Sequence, residues 1–361
     1  MSAARVPRAM IGGRRRKVIF AAAAATLGLV LGLLVAALAL SVDVYLHHRV
    51  QDLGGVNVWG YRGPVVGKKQ AGERRIVTLG GSTAFGYGLP WNESWPYYLE
   101  RKLNGSNASS HAYSVVNLGA PAQGAFGFRY DLEDYAYLHF DAAILYEGYN
   151  DLGDRDLPDA VPARTGPNYF LWRRQSPVFR LTGYLPVLPL VFREKAMAMK
   201  SGGQLDAAYR GARTAFKPGL ATRATATALE TAASIADRVG TQLGHLSSGA
   251  DAIERQAGDV ESWRHYVASE LQAIEYARAR GVKVLVVTQP YASDTHVAQQ
   301  RALASAITSR FPHDDGVAYV NLGRLLNVRD RQVAYDGLHL VASANERVAD
   351  ALLAPVLAAL Q

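Results

Sequence analysis

The sequence predicts an α/β protein in which a parallel sheet is covered by helices on both faces, preceded by one apolar helix. Two observations carry this prediction. After residue 73, short apolar runs alternate with helical patterns, which is typical of a parallel sheet whose strands are connected by helices. Near the N-terminus, residues 18–42 contain no charged side chain. We therefore expect a basic segment at 1–17, a transmembrane helix at 18–42, a connector arm at 43–73 and the main domain at 74–361.

The apolar run at 18–42 is long enough to cross a bilayer, whose hydrocarbon core takes about 20 apolar residues. The residues before it include basic but no acidic side chains: Arg5, Arg8, Arg14, Arg15, Arg16 and Lys17. Because basic residues mark the cytoplasmic side, we expect an uncleaved single-pass anchor with the main domain outside the cytoplasm. The alternative is a cleaved signal peptide, since Ala37-Leu38-Ala39 resembles a cleavage site. However, the apolar part of a signal peptide spans only about 7 to 15 residues.

The composition restricts the partners and the location of the main domain. The formal net charge of +8 is concentrated in the N-terminal basic segment, which leaves the rest of the chain nearly neutral. No basic stripe interleaved with aromatic residues follows, so we expect no nucleic acid as a partner. The chain has no cysteine, so core burial without disulfides must hold the domain together. The Ala- and Arg-rich composition favours a bacterial source, so the predicted anchor would lie in the inner membrane with the main domain in the periplasm.

Five apolar runs are predicted strands, with helices between them. The strands are expected at 76–79, 114–118, 142–146, 282–287 and 317–322. Helices are expected at 95–103, 261–280 and 297–311, the second of them with Gly281 as its C-cap. The last helix is expected to begin with a capping box at Ser343-Ala344-Asn345-Glu346. Between 152 and 260 the alternation breaks, and we interpret this stretch as a mainly helical insertion that caps the site.

Polar residues or glycines follow the first three predicted strands, at the edge where the carboxyl ends of parallel strands meet. The first strand leads into Gly80-Gly81-Ser82, the second into Asn117-Leu118-Gly119 and the third into Glu147-Gly148-Tyr149-Asn150-Asp151. Near the C-terminus, Asp336 and His339 are three residues apart, which can place a carboxylate beside an imidazole nitrogen. Each pattern alone also occurs in ordinary turns. Together they supply the serine, base, carboxylate and oxyanion donors that acyl transfer needs.

These four blocks, in this order, resemble the SGNH (GDSL-like) hydrolase family over about residues 75–359, with the insertion excepted. The resemblance implies a three-layer α/β/α flavodoxin-like fold. It also implies a catalytic triad with Ser82 as the nucleophile, His339 as the general base and Asp336 as the carboxylate that orients the base. The connector residues Gly60-Tyr61-Arg62-Gly63 look like the arm of membrane-anchored members of the family.

The resemblance further implies an oxyanion hole formed by the backbone N–H groups of Ser82 and Gly119 and the side-chain amide of Asn150. The chain departs from the family at Gly81, where the best-known signature has Asp. Because that Asp is not a member of the triad, the departure bears on the substrate and leaves the mechanism unchanged.

The expected function is a membrane-anchored serine esterase that acts through an acyl-enzyme on O-acyl esters of carbohydrates or lipids. The same triad would serve an O-acyltransferase acting on cell-envelope glycans, and a catalytically silent scaffold is a third alternative. An α/β-hydrolase is disfavoured because Ala84 stands where Gly-x-Ser-x-Gly requires glycine. We expect neither a metal nor a cofactor, since no second cluster at ligand spacing accompanies His313-Asp314-Asp315. The aromatic residues after Ser82 can line a pocket or pack in the core: Trp91, Trp95, Tyr97 and Tyr98.

Overall fold

A five-stranded parallel sheet organises the main domain in a computed structural model that describes residues 9–52, 54–106, 111–154, 173–174, 176–202, 225–228 and 261–360. The strands are β1 (Glu73–Gly80), β2 (Ala112–Asn117), β3 (Ala142–Tyr146), β4 (Lys283–Val287) and β5 (Val317–Val320). Their order across the sheet is β2-β1-β3-β4-β5, and all neighbouring strands are parallel. This order is that of flavodoxin-like folds, and it confirms the predicted fold class.

Helices cover both faces of the sheet. In chain order, the helices of the described residues are α1 (Ala9–Val50), α2 (Ser82–Phe85), α3 (Trp95–Gly105), α4 (Phe128–Asp134), α5 (Pro177–Thr182), α6 (Leu188–Ser201), α7 (Arg264–Arg278), α8 (Asp294–Arg310) and α9 (Ala342–Ala359). α3 and α9 share one apolar core with the sheet, while α4, α7 and α8 share the other. The result is the predicted three-layer α/β/α arrangement.

Alternate residues of the central strands supply the two cores, because successive side chains of a strand point to opposite faces. Ile76 of β1 and Ile144 of β3 lie in the core with α3 and α9. Val77 and Leu145, their neighbours in sequence, lie in the core with α4, α7 and α8. Every residue of β3 is therefore buried, which explains why this strand is a continuous apolar run.

The N-terminal helix α1 includes the predicted span at 18–42. The chain divides into two compact units, Met1–Leu46 and His47–Gln361. The segment Arg15–Val50 is long and apolar enough to cross a membrane. It contains a stretch with a mean hydropathy of 2.6, and 0% of that stretch is buried. It is the one such helix among the residues that the structure describes. By length and composition it fits a membrane anchor or a signal sequence.

Two helix ends differ from the prediction. α9 begins at Ala342 with Val341 as its N-cap, so Ser343 lies inside the first turn and the predicted capping box is wrong. The helix starts earlier because the backbone oxygen of Val341 already accepts the N–H groups of Ala344 and Asn345. α7 ends at Arg278 with Ala279 as its C-cap, and Gly281 follows with a φ of 75°. This glycine therefore turns the chain into β4 after the cap.

The predicted insertion at 152–260 lies partly outside the described residues. Within it, the structure describes α5, α6 and a helical turn at 225–228. Phe179 of α5 and the following Leu185 are buried in the core shared with α4 and α7. Leu185 also donates its backbone N–H to the carbonyl oxygen of Val58 in the connector, at 2.9 Å. These contacts join the insertion to the domain and the connector, and its role as a cap stays a prediction.

Candidate active site

Ser82, His339 and Asp336 lie together and form two consecutive hydrogen bonds. Ser82 Oγ is 2.8 Å from His339 Nε2, and His339 Nδ1 is 2.6 Å from Asp336 Oδ2. Because a carboxylate only accepts, we place the ring proton on Nδ1, which leaves Nε2 to accept the hydroxyl proton of Ser82. The side chains of His339 and Asp336 are 17% and 42% exposed, so the group is open to solvent. Chemically, this connectivity suits a nucleophile, its base and a group that orients the base.

Ser82 is the first residue of α2, a single helical turn that begins just after β1 ends. The two positions before Ser82 are glycines, and neither position has room for a side chain. A Cβ at Gly80 would lie 2.4 Å from the carbonyl oxygen of Tyr146, and a Cβ at Gly81 would lie 2.0 Å from Asn150 Nδ2. A side chain at position 81, such as the Asp of the family signature, would therefore have to displace the Asn150 amide.

The loop before α9 presents Asp336 and His339. Between them, Gly337 has a φ of 89°, a left-handed conformation that glycine adopts without strain. Asp336 Oδ1 accepts the backbone N–H groups of Leu338 at 3.0 Å and His339 at 2.8 Å. Burial alone would raise the pKa of Asp336, but the hydrogen bonds from His339 and Leu338 outweigh it and lower the pKa. Asp336 is therefore ionised at neutral pH and holds the imidazole in one orientation.

The backbone N–H of Gly119, a predicted oxyanion donor, is already used within the protein. It donates to Asn117 Oδ1 at 3.0 Å, while the side-chain amide of Asn117 donates to the carbonyl oxygen of Ala84 at 2.8 Å. Asn117 thus holds Gly119 close to α2, where a Cβ on Gly119 would lie 2.8 Å from the nitrogen of Phe85. The N–H of Ser82 lies at the start of α2, among the groups that a helix leaves without an internal partner.

The side-chain amide of Asn150 lies against the turn that precedes Ser82. Asn150 Nδ2 donates to the carbonyl oxygen of Gln123 at 2.9 Å, and it lies 3.3 Å from each carboxyl oxygen of Glu147. The contacts to Glu147 are longer than the usual range of about 2.7 to 3.2 Å for N–H···O hydrogen bonds. One N–H of the amide is therefore held firmly, and the other is held loosely.

Two residues to which the sequence analysis assigned no role hold the loop at 147–151 in place. Gln289 is fully buried just after β4; its Nε2 donates to Thr83 Oγ1 at 2.6 Å, and its Oε1 accepts the N–H of Tyr149 at 2.9 Å. Glu147, also buried, accepts the backbone N–H of Asn150 at 3.1 Å. The signal available in the sequence was a pair of polar residues, Thr288 and Gln289, after the fourth strand.

The connector contacts α2, the helical turn that begins with Ser82, through Arg62. Its guanidinium lies 4.5 Å from the ring centre of Phe85 and donates to the carbonyl oxygens of Gly55 at 2.9 Å and Leu89 at 2.6 Å. Its backbone N–H donates to the carbonyl oxygen of Asn117 at 2.9 Å. Burial lowers the pKa of Arg62 to about 10, so the side chain stays charged at neutral pH. Arg62 thus contacts both α2, through Phe85, and the segment that carries Gly119, through Asn117.

Two exposed tyrosines flank His339. The ring of Tyr335 stacks on the imidazole at 5.7 Å between centroids, and the ring of Tyr87 lies at 5.1 Å on a tilted plane. The hydroxyl of Tyr335 donates to the carbonyl oxygen of Tyr87 at 3.0 Å. Because Tyr87 and Tyr335 are 51% and 41% exposed, the open edge of the site is aromatic.

The aromatic residues at 91–98 divide between core and surface. Trp95 is fully buried and packs against Tyr146. Trp91 and Tyr97 line a small cavity of about 70 Å³ together with Arg62, and none of Ser82, Asp336 and His339 lines it. Within the described ranges, no group of three or more His, Cys, Asp or Glu side chains is arranged to hold a metal ion.

No family model and no curated protein matches the chain. Among solved structures, it is similar to a G-D-S-L family protein, described as lipolytic, from Desulfitobacterium hafniense DCB-2, with 12% identity and a TM-score of 0.33 over 77% of this chain and 99% of the other. It is also similar to a family two carbohydrate esterase from Clostridium thermocellum, with 10% identity and a TM-score of 0.39 over 81% of this chain and 66% of the other. A third is the acetyl xylan esterase Est2A from Butyrivibrio proteoclasticus, with 10% identity and a TM-score of 0.35 over 82% of this chain and 65% of the other.

The chain thus spans about two thirds of the length of the two esterases. A member of the G-D-S-L family is among the similar structures. At these identities and scores, the likeness says nothing about the activity of this chain.

Proposed function

We propose that this chain is an SGNH-type serine ester hydrolase that forms an acyl-enzyme at Ser82. The observation that supports this most is the pair of hydrogen bonds from Ser82 to His339 at 2.8 Å and from His339 to Asp336 at 2.6 Å. Ser82 lies in the turn that follows β1, whereas Asp336 and His339 lie in the loop just before α9. A serine with only a local role in its turn would not require an imidazole that is itself held by a carboxylate.

The proposed reaction begins when Ser82 Oγ attacks the carbonyl carbon of the ester and His339 Nε2 accepts the hydroxyl proton. The tetrahedral intermediate then expels the alkoxide, which takes that proton from the imidazolium. Asp336 stabilises the imidazolium and stays ionised, in keeping with its lowered pKa. A water molecule next attacks the acyl-enzyme with His339 again as the base, which releases the acid and restores Ser82.

The oxyanion of the tetrahedral intermediate needs hydrogen-bond donors close to Ser82. The N–H of Ser82 at the start of α2 and the loosely held N–H of Asn150 are the candidates best supported by the geometry. Gly119 can contribute only by sharing its N–H with Asn117 Oδ1. We therefore assign Ser82 and Asn150 as the main donors and Gly119 as an additional one.

The proposed location is the outer face of a bacterial inner membrane, with α1 as an uncleaved anchor and residues 1–17 in the cytoplasm. The proposed substrates are O-acyl esters of carbohydrates or lipids, which suit an open edge lined by Tyr87 and Tyr335. A reporter that is active only outside the cytoplasm should be active when fused after Gln361. Activity of a cytoplasm-only reporter at that position would overturn this location. Acid release measured with and without a glycan acceptor separates hydrolysis from acyl transfer.

A fluorophosphonate probe tests the nucleophile directly in the full-length chain, purified in detergent. The wild type should be labelled once per chain, and peptide mass spectrometry should find the label on Ser82. Ser82→Ala should abolish labelling, His339→Ala should slow it by on the order of 10³-fold or more, and Asp336→Asn should keep a trace. Ser269→Ala is the matched control, because this hydroxyl donates to the backbone of its own helix. A folded wild type that resists the probe leaves the scaffold as the remaining interpretation.

A further inference from the structure

Glu147 lies directly behind the turn that carries Ser82, and it is only 1% exposed. Its Oε1 accepts the backbone N–H groups of Gly148 at 2.9 Å and Asn150 at 3.1 Å. The backbone N–H of Gly81 also hydrogen-bonds to this carboxyl group, and a Cβ on Gly81 would lie 2.6 Å from Oε2. One carboxyl group therefore joins the turn before Ser82 to the turn that carries Asn150.

The same carboxyl group shares a donor with the proposed oxyanion hole. The carbonyl oxygen of Gln123 accepts one N–H of the Asn150 amide at 2.9 Å. The second N–H is left for the two oxygens of Glu147, each of which lies 3.3 Å from Nδ2. An oxyanion forming beside Ser82 would compete with Glu147 for that second N–H. Both competitors are acceptors, and an ionised Glu147 would also repel the negative charge of the oxyanion.

We propose that Glu147 is a positioning residue of the oxyanion hole, which aligns the Asn150 amide beside Ser82 while neutral and withdraws it when ionised. This inference rests on the proposed function, because it concerns the oxyanion of the same reaction. While Glu147 is neutral, its attraction for the second N–H is weak, and the N–H can turn to the oxyanion. Once Glu147 is ionised, its charge holds that N–H and opposes the charge that develops in front of it. Turnover therefore falls on the alkaline side.

The surroundings of Glu147 place its ionisation in the working range of an esterase. Burial raises its pKa to about 7, although hydrogen bonds from Gly148, Asn150 and Gly81 act in the opposite direction. The carboxyl group is thus protonated below about pH 7 and charged above it, so the loss of turnover grows as pH rises.

Other titratable groups approach Glu147 from several elements. They are Tyr146, Tyr149 and Asp151 on its own segment, Tyr266 and Glu270 on α7, His296 on α8 beside Gly148, and His339 on the far side of Ser82. Charges on Asp151 and Glu147 add to burial in raising the pKa of Glu270, which stays neutral. His296 does not offset them, because burial lowers its pKa to about 4 and it stays neutral.

The test measures kcat and KM of the full-length chain in detergent on p-nitrophenyl acetate, from about pH 5.5 to about pH 9. Wild-type kcat should fall above about pH 7, approaching tenfold per pH unit. Glu147→Gln, which cannot ionise, should lose the alkaline fall, with KM within about twofold of the wild type. Glu147→Asp should keep the fall. Glu100→Gln is the control, because that carboxyl group is also shifted by burial but binds the N–H of Val115.

Two results overturn the inference: wild-type kcat that stays flat above about pH 7, or an alkaline fall that persists in Glu147→Gln. The wild-type profile decides the matter even where the glutamine variant does not fold. Fluorophosphonate labelling separates this inference from the proposed function. If Ser82 is labelled and either result is found, Glu147 loses its role and the esterase remains. If wild-type Ser82 is not labelled, both proposals fail together.

Discussion

The helices α8 and α9 pack on opposite faces of the same sheet and bury different chemistry. The buried residues of α9 are mostly apolar along its length: Ala344, Asn345, Val348, Ala349, Leu352 and Val356. α8 buries polar residues in its first half and apolar ones in its second: His296, Gln299 and Gln300, then Leu303 and Ile307. The polar half meets Gly148, where a Cβ would lie 2.5 Å from Gln300 Nε2 and 2.8 Å from His296 Nε2.

This difference shows which part of the fold supports the site. Buried polar groups that lack hydrogen bonds cost about 1 to 3 kcal/mol each, so a face built for stability alone would resemble α9. Gln300 instead donates to the hydroxyl of Tyr266 at 3.0 Å and lies 3.3 Å from the carbonyl oxygen of Glu147. The polar half of α8 thus holds the loop that carries Asn150, while α9 stabilises the domain by packing.

The largest effect is expected where the polar face reaches the site. Asn150→Ala should lower kcat on the order of 10²- to 10³-fold with little change in KM, because it removes a donor to the oxyanion. Steady-state kinetics on p-nitrophenyl acetate measures both. Asn104→Ala is the control, since the amide of Asn104 donates to backbone oxygens of Glu100 and Tyr113 near α3. A loss confined to KM would mean that Asn150 binds the substrate and does not stabilise the oxyanion.

On the apolar face, the expected effect is on stability. Leu352→Ala removes a fully buried side chain of α9 and should lower the free energy of unfolding by about 2 to 5 kcal/mol. Urea unfolding followed by tryptophan fluorescence measures this loss. The partly buried Leu353, changed in the same way, should cost less. Because packing is the proposed role of α9, kcat per folded molecule should stay unchanged in both variants, and a large fall in kcat would break the contrast with α8.

The smallest effect concerns Glu270, a fully buried carboxyl group of α7. Burial raises its pKa well above the usual value, and Asp151 and Glu147 add to the shift. The folded chain keeps a proton that the unfolded chain releases above about pH 4.3, so this group makes folding less favourable as pH rises. Glu270→Gln should therefore raise Tm by about 2 to 4 °C at about pH 8 and by much less at about pH 4. A gain that does not depend on pH would point to packing instead.

The regular part of the fold could be predicted because local patterns determine it. The apolar run at 142–146 has the same bounds as β3, since a strand covered on both faces needs every residue apolar. The first block and the last block also suggested that Ser82 and His339 would meet, although they lie on opposite ends of the domain sequence. The distance of 2.8 Å between Ser82 Oγ and His339 Nε2 supports that expectation, while the roles of the two residues stay predictions.

The missed features depend on contacts between residues far apart in sequence. Gln289 links Thr83 to Tyr149, yet a glutamine after a strand has the same pattern when it faces water. The N–H of Gly119 is occupied because Asn117 adopts one particular side-chain conformation, which the spacing of the two residues does not reveal. The helix start at Ala342 was missed because Ser343 and Glu346 match a capping box without forming one.

The absence of a side chain at position 81 leaves room for Asn150 and Glu147. A side chain at position 81 would meet Asn150 Nδ2 at 2.0 Å and Glu147 Oε2 at 2.6 Å, and an aspartate there would bring a second negative charge beside Glu147. An aspartate at position 81 would have to displace Asn150 and Glu147, so the glycine and the buried glutamate belong to one packing arrangement.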